Sequence, residues 1–421
     1  MPVEAVAPAP DTAGELFVAR QPIFNRKKEI YAYELLHRSS MENRFDGTDN
    51  ARATTNVIAG SFLNIGMNKL VGASRAFINF DRTLLLSPLP LALPPEKVVI
   101  ELLETIEVDD DVIARCRELR RLGFAIALDD YDPGSPSQRL VDLANIIKID
   151  FRLMDSAARK EHTAEFRKRR ISLLAEKVET PDEFQAAVEQ GFKYFQGYFF
   201  ARPSILRGSS PPPAKSRFLR LLETTSRDDF DFAQVEDVLR HESALSYQLM
   251  RYLNSALFGW NSPILSVRHA LALLGAEEIR RWAAIVTLCG LATDKPGALL
   301  SCSVIRARMC ESIARSSRRS GLRRRSSELF IMGLFSLLDA VLNQPLEVAL
   351  RDLHIATDIR ETLLGSKAHP LIDAIYATVK ALEQGDWSGV TAHSETLGIP
   401  AAQISKLYWD SVEWGNQIAA G

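Results

Sequence analysis

Short apolar runs that end in charge constrain the first half of this chain. Ala125-Ile126-Ala127-Leu128 stops at Asp129-Asp130, two adjacent carboxylates. Burying such a pair is costly unless something positive lies between the two, so it belongs at an exposed strand end or at a metal. The pattern recurs. Val98-Val99-Ile100 leads into Glu101 and Glu104, Asn145-Ile146-Ile147 into Lys148 and Asp150, and Leu173-Leu174-Ala175 into Glu176 and Glu179. Strands that deliver ligands to one rim of an α/β barrel have this form.

In chain order, Leu16-Phe17-Val18-Ala19 predicts a first strand and Asn25-Arg26-Lys27-Lys28 a polar turn. Ile30-Tyr31-Ala32-Tyr33 predicts a second strand, running into Glu34-Leu35-Leu36-His37-Arg38. Residues 50–69 carry helix-spaced apolar positions. Ala76-Phe77-Ile78 predicts a strand ending in Asn79, and 98–102 the next. A helix over 109–121 opens on three aspartates, favourable at the positive end of its dipole, and Gly123 follows it. Strands over 124–128, 145–149 and 171–175, a helix over 180–190 and the run 194–200 complete the series. Strands alternating with helices imply a parallel sheet closed into an α/β TIM-like barrel.

Ser204 to Pro213 reads SILRGSSPPP, which continues neither a helix nor a central strand. The expected division is a disordered tail over 1–14, a barrel over 15–203, a linker over 204–215 and an all-α domain over 216–421. In the last, the segments 231–240, 243–256, 266–274, 276–291, 301–319, 326–343 and 371–384 have helical periodicity.

A formal net charge of −2 removes a global attraction to nucleic acid or anionic membrane. The cysteines, Cys116, Cys289, Cys302 and Cys310, lack paired C-x-x-C spacing and read as thiols of a reducing cytosol. The N-terminus has neither the basic start nor the apolar stretch of a signal peptide, and no apolar run is long enough to span a bilayer. A cytoplasmic location is the expectation.

The strand ends gather Glu34, Asn79, Glu101, Asp129, Asp130, Glu176 and Glu179, with Lys148 and Asp150 among them. These are hard oxygen ligands without His or Cys, which selects Mg²⁺ or Mn²⁺ over zinc. A carboxylate bridging two such cations, beside a lysine that holds or deprotonates a water, is a layout for phosphodiester hydrolysis. Arg38 suits bidentate phosphate binding.

These residues carry a resemblance. Residues up to about 200 resemble an EAL domain, the cyclic di-GMP phosphodiesterase barrel. Tyr33-Glu34-Leu35-Leu36-His37-Arg38 is similar to the segment that names that family, with Leu35 where Ala is usual. Phe77-Ile78-Asn79, Glu101-Leu102-Leu103-Glu104, Asp129-Asp130 and Lys148-Ile149-Asp150 resemble its successive motifs, with Leu103 in place of Thr. Ala175-Glu176-Lys177-Val178-Glu179-Thr180 follows, with Lys177 for Gly, and Gln196 to Pro203 resembles the closing segment. The resemblance implies a first metal at Glu34, Asn79, Glu101 and Asp129, and a second at Asp129, Asp130 and Glu179, hence two Mg²⁺ or Mn²⁺ per site. It implies Lys148, Asp150 and Glu176 in catalytic roles, and Arg38, Gln196 and Gln21 as substrate-binding. The reaction implied is hydrolysis of cyclic di-GMP to pGpG, in a protein that could form homodimers. The loop Tyr131-Asp132-Pro133-Gly134-Ser135 departs from a Gly-rich pattern, which implies slow or conditional turnover, the alternative being a barrel that binds the nucleotide as a sensor.

The second half resembles an HDOD domain, the helical relative of HD phosphohydrolases, through Val238 to Leu245, Asn254-Ser255-Ala256 and Ser266 to Gly275. Ser336 and Leu337 stand where those enzymes carry His and Asp, so this half is expected to be a non-catalytic module that recognises a protein partner. Arg306, Arg308, Arg315, Arg318, Arg319, Arg323, Arg324 and Arg325 crowd one segment. It reads first as a solvated helix end and loop, and second as a patch for an acidic partner or RNA. The absence of interleaved aromatics counts against nucleic acid.

Overall fold

The computed structural model describes residues 17–38, 71–201 apart from 133, 231–241, and 267–420 apart from 294, 352 and 354. Single positions at 218, 221, 222, 224, 225, 245 and 249 are described as well. The expected tail 1–14, helix 50–69, linker 204–215 and most of helix 243–256 lie outside the described residues.

The strands β1 Phe17–Asn25, β2 Ile30–Arg38, β3 Arg75–Phe80, β4 Val98–Leu102, β5 Ala125–Leu128, β6 Ile146–Asp150, β7 Ser172–Glu176 and β8 Tyr194–Gln196 close into a barrel in sequence order. All neighbours from β2 to β8 are parallel, and β1 runs antiparallel to both β2 and β8. Helices α1 Arg82–Leu86, α2 Asp110–Arg121, α3 Ser156–Lys168 and α4 Pro181–Gln190 connect the strands.

Local chemistry sets the ends of these elements. Asp109 caps α2 by accepting from the Val112 amide at 2.9 Å. Thr180 and Glu183 form a reciprocal capping box at α4, which fixes the backbone next to Glu179. The run 194–200 is not one strand. β8 stops at Gln196, Gly197 takes φ 137°, and Tyr198–Ala201 winds as a 3₁₀ turn. A Cβ on Gly197 would lie 2.1 Å from the Val178 carbonyl, so only glycine fits. The turn then drives Phe199 and Phe200 against Phe24, with ring centroids 5.3 and 4.7 Å away, sealing β8 to β1.

The second half is helical: α5 Phe232–His241, α6 Val267–Leu291, α7 Gly297–Ser316, α8 Ser326–Phe335, α9 Leu338–Leu342, α10 Leu346–Ala349, α11 Thr357–Leu363, α12 Pro370–Gln384, α13 Trp387–Leu397 and α14 Ala401–Ala420. Gly275 breaks α6 between the two expected helices. The expected helix 326–343 is interrupted at Ser336-Leu337. Among the described residues no helix is long and apolar enough to cross a membrane.

One buried cluster runs from the barrel wall (Ala19, Tyr33, Leu35) into the helical half (Ile305, Leu382, Tyr408). α12 and α14 lie against β1. The sequence boundary is therefore not a boundary of the hydrophobic core.

Candidate active site

A strand places side chains on alternate faces, so residues two apart share a face. Inside the barrel, Ile23, Ala32, Phe77, Val99, Ala127, Ile146, Leu174 and Tyr194 form a closed apolar layer. Moving two residues along each strand, toward the C-terminal rim of β2 to β8, reaches Glu34, Asn79, Glu101, Asp129, Lys148, Glu176 and Gln196. β1 runs the other way, so its contribution, Gln21, precedes Ile23. Strand periodicity thus turns eight separate chain segments into one polar ring on an apolar floor.

Lys148 lies at the centre, 1 % exposed. Its Nζ lies 2.8 Å from Asp129 Oδ1, 2.8 Å from Glu176 Oε1 and 3.3 Å from Glu34 Oε2, and it also donates to Glu101. Gln196 Nε2 donates to Glu34 Oε2 at 2.7 Å and to Gln21 Oε1 at 2.8 Å. Asn79 Nδ2 donates to Glu34 Oε1 at 3.3 Å. Burial opposes the charge of Lys148, yet the surrounding carboxylates outweigh it and hold the ammonium well above its ordinary range. Glu101 is pushed up by burial and by Glu34, and burial first, then neighbouring carboxylates, push Glu176 up to about 8.

Asn79 Oδ1, Glu101 Oε2, Glu176 Oε2 and Gln196 Oε1 are buried and accept no hydrogen bond. Each such orphan costs roughly 1–3 kcal/mol. Four unanswered oxygens in one ring of carboxylates fit a hard divalent cation. Asp129, Asp130 and Glu176 each bring a carboxylate oxygen within 4.8 Å of the others. Asp130 does so from a left-handed backbone, φ 37°, which lets consecutive residues face the same mouth. Tyr131 anchors the next step of this loop, packing edge-on against Phe166 at 5.3 Å and donating its amide to the Lys148 carbonyl.

Two predicted residues, Glu179 and Asp150, stand apart from the ring. Glu179 lines the same cavity, but its carboxylate pairs with Arg152 at 2.8 Å, and it is Glu176 that joins Asp129 and Asp130. Asp150 accepts from the Arg152 and Leu153 amides and from Lys177 Nζ at 2.5 Å. Burial pushes its carboxyl up, but these donors prevail and hold it below the usual range. Arg38 ends β2, and its side chain lies outside the described residues.

The cavity above the ring has a volume of about 420 Å³, and the helical half forms its roof with Cys302, Ile305, Glu383 and Tyr408. No signal in the sequence assigned these to the site. The arginine run is largely consumed inside the fold. Arg306 binds Glu383, Arg308 and Arg315 bind Glu311, Arg319 donates to the Thr396 carbonyl, and Arg325 binds Asp358. At the position of the missing His-Asp pair, Ser336 Oγ accepts from Arg306 Nη1 at 3.0 Å and Leu337 is buried.

A closed α/β barrel with a carboxylate-rich C-terminal rim, joined to a helical module, places the chain among two-part barrel proteins. Residues 80–203 match the model of the EAL domain, and residues 212–343 that of the HDOD domain. The chain is 33% identical to cyclic di-GMP phosphodiesterase CdgJ of Vibrio cholerae, over 99% of this chain and 96% of that one. It is 34% identical to protein YuxH of Bacillus subtilis, over 96% of this chain and 98% of that one. Klebsiella pneumoniae BlrP1, solved in a calcium and cyclic di-GMP complex, is 26% identical over 47% of this chain and 58% of that one, with a TM-score of 0.39. The chain belongs to the EAL–HDOD family.

Proposed function

We propose that the barrel hydrolyses cyclic di-GMP to linear pGpG, with the helical half as its regulatory module. The observation that carries this reading is the buried Lys148 amid Glu34, Glu101, Asp129 and Glu176, with four acceptor oxygens unanswered around it. Full-length similarity to CdgJ supports the substrate.

In this reading Glu34, Asn79, Glu101 and Asp129 hold one divalent cation, Mg²⁺ or Mn²⁺. Asp129 and Asp130 hold a second, with Glu176 or Glu179. Bound there, such a pair lowers the pKa of the attacking water and neutralises charge on the phosphoryl oxygens. Lys148 orients the water and the carboxylates. Gln21 and Gln196 line the nucleotide's cavity, and the phosphate-binding role proposed for Arg38 rests on its place in the motif Glu34 to Arg38 alone. Water oxygen bonds to phosphorus, the P–O3′ bond breaks, and the water's proton ends on the 3′ oxygen, giving a 5′-phosphate and a free 3′-hydroxyl. The cysteines are all free thiols, in keeping with a cytoplasmic setting. Homodimerisation and a protein partner for the helical half belong to the same proposal.

The test is incubation of the purified chain with cyclic di-GMP and Mg²⁺ or Mn²⁺, following pGpG by chromatography, with Glu34→Ala as control. Metal-dependent product that the control lacks is expected. One observation favours a second reading, a receptor without turnover: Lys177 adds an ammonium beside the ring and occupies Asp150. Nucleotide binding by calorimetry without product would select it.

A further inference from the structure

Hydrogen bonds on either side of Glu383, to its carboxylate and to its main-chain carbonyl, lead from the core of the helical half into the barrel ring. They begin at Arg306, 4 % exposed, which donates through Nε and Nη2 to the Glu383 carboxylate at 2.7 and 2.6 Å. Such a bidentate pair fixes a carboxylate in direction as well as in position. Tyr198, just past β8, adds its hydroxyl to the same carboxylate at 3.2 Å. Glu383 lies in the last turn of α12, where main-chain carbonyls have no partner within the helix. The Gly385 amide caps Ala381 and Leu382, and the Glu383 carbonyl accepts instead from Gln21 Nε2 at 3.1 Å.

That last bond determines which way two amides face. With its nitrogen given to Glu383, Gln21 presents its oxygen to Gln196. Gln196 must then point its nitrogen at both Gln21 and Glu34, and its own oxygen into the ring. Reversing Gln21 would set nitrogen against nitrogen and release Gln196 from Glu34. The roof is seated closely enough to hold this arrangement. Gly385, at φ 68°, lies so near Leu36 that a Cβ would come within 2.9 Å of its Cδ1. Nearby, Arg20 donates to Asn416 at 3.2 Å while stacking on Tyr33.

We propose that Glu383, held by Arg306, is a positioning residue for the barrel site, acting through Gln21 and Gln196 on Glu34. Docking of the helical half and binding of ligand in the barrel then strengthen each other. The proposal deepens the reading of the barrel as a cyclic di-GMP site and rests on it for the nucleotide. Linkage requires reciprocity: whatever factor docking adds to ligand affinity, ligand must add to docking.

The test uses the full chain and two readouts. In the first, cyclic di-GMP with Ca²⁺ is titrated calorimetrically into the wild type, the double variant Arg306→Met with Glu383→Leu, and Gly385→Ala, which crowds the contact between the roof and Leu36. Affinity is expected to fall roughly tenfold in each folded variant, within the usual span of such couplings. In the second, hydrogen exchange of residues 381–387 is measured in the wild type with and without Mn²⁺, and again with nucleotide. Exchange in this turn is expected to slow roughly tenfold when the barrel is loaded. A purely structural contact would leave it the same in both states. Unchanged or tighter binding in a folded variant, or exchange indifferent to ligand, would overturn the proposal. A wild type that binds no nucleotide would defeat the functional reading instead, and the Mn²⁺ exchange measurement would still decide the coupling. That measurement needs no variant to fold.

Discussion

Two buried ionic clusters in this molecule look alike in composition and differ in bookkeeping of charge. In the barrel, one ammonium, Lys148, faces the carboxylates of Glu34, Glu101, Asp129 and Glu176. In the helical half, one guanidinium, Arg306, faces one carboxylate, Glu383, with the Ser336 hydroxyl on its remaining side. The second cluster is balanced, and its acceptors are answered. The first has an excess of negative charge, and Asn79, Glu101, Glu176 and Gln196 keep oxygens without donors. Folding alone does not favour an unbalanced ring, because each buried charge loses hydration that nothing in the chain replaces. The imbalance is what the proposed cation would relieve; the balanced pair needs no further ligand.

The largest expected effect tests the unbalanced side. Lys148→Ala should lower turnover by about 10³-fold, the scale on which positioned proton-transfer or electrostatic groups act. Chelation of divalent cations from the wild type should abolish pGpG formation, and added Mn²⁺ should restore it there but not in the variant. Turnover that survives both treatments would erase the distinction between the clusters. The balanced side should respond chiefly in stability, with only the roughly tenfold loss of nucleotide affinity that its coupling to the ring carries. Arg306→Ala leaves the Glu383 carboxylate, 15% exposed, without its cation and should cost about 3–5 kcal/mol in urea unfolding of the full chain. Replacing both partners, Arg306→Met with Glu383→Leu, should recover most of that loss, since a closed pair can be exchanged for apolar packing. A double variant as unstable as the single one would show that the pair is not closed in this sense.

The two clusters were also unequally legible in the sequence. Each residue of the barrel ring from β2 to β8 follows an apolar inner residue by two positions, as Glu34 follows Ala32 and Lys148 follows Ile146, so strand periodicity exposes the ring before any folding. The second cluster leaves no such trace. Arg306 reads as one of a run of arginines, and Glu383 falls unmarked near the end of the expected helix 371–384. Their pairing joins positions far apart in the chain and depends on how α7 and α12 pack. The same limit applies to secondary structure. α3 escapes notice because Thr163 and Phe166 are its buried positions in an otherwise polar stretch. α13 and α14 lie beyond the last expected helix, although both bury apolar residues. Ser336-Leu337 breaks a segment whose apolar pattern runs on unbroken.

The smallest effect sharpens the comparison at a third pair. Arg325 lies between Asp358 and Glu328, binding Asp358 at 2.5 and 2.9 Å, with Arg325 30% and Asp358 24% exposed. Its hydrogen bonds hold the Asp358 carboxyl below the usual range. The sign follows from that depression. The folded state prefers the ionised carboxylate, so the pair stabilises the fold above the unfolded pKa, about 3.9 for aspartate, and its contribution fades as pH falls through the depressed value. Asp358→Asn should therefore cost about 1 kcal/mol or less at pH 7, given partial solvent screening. Its deficit against the wild type should shrink as unfolding is repeated below roughly pH 4. Added Mn²⁺ should leave that deficit unchanged at either pH, because both Asp358 oxygens already accept from Arg325 and leave a cation no unanswered acceptor. A deficit that is constant with pH would mean that Asp358 acts through packing and not through its charge, and one that closes on adding Mn²⁺ would place this pair with the barrel ring.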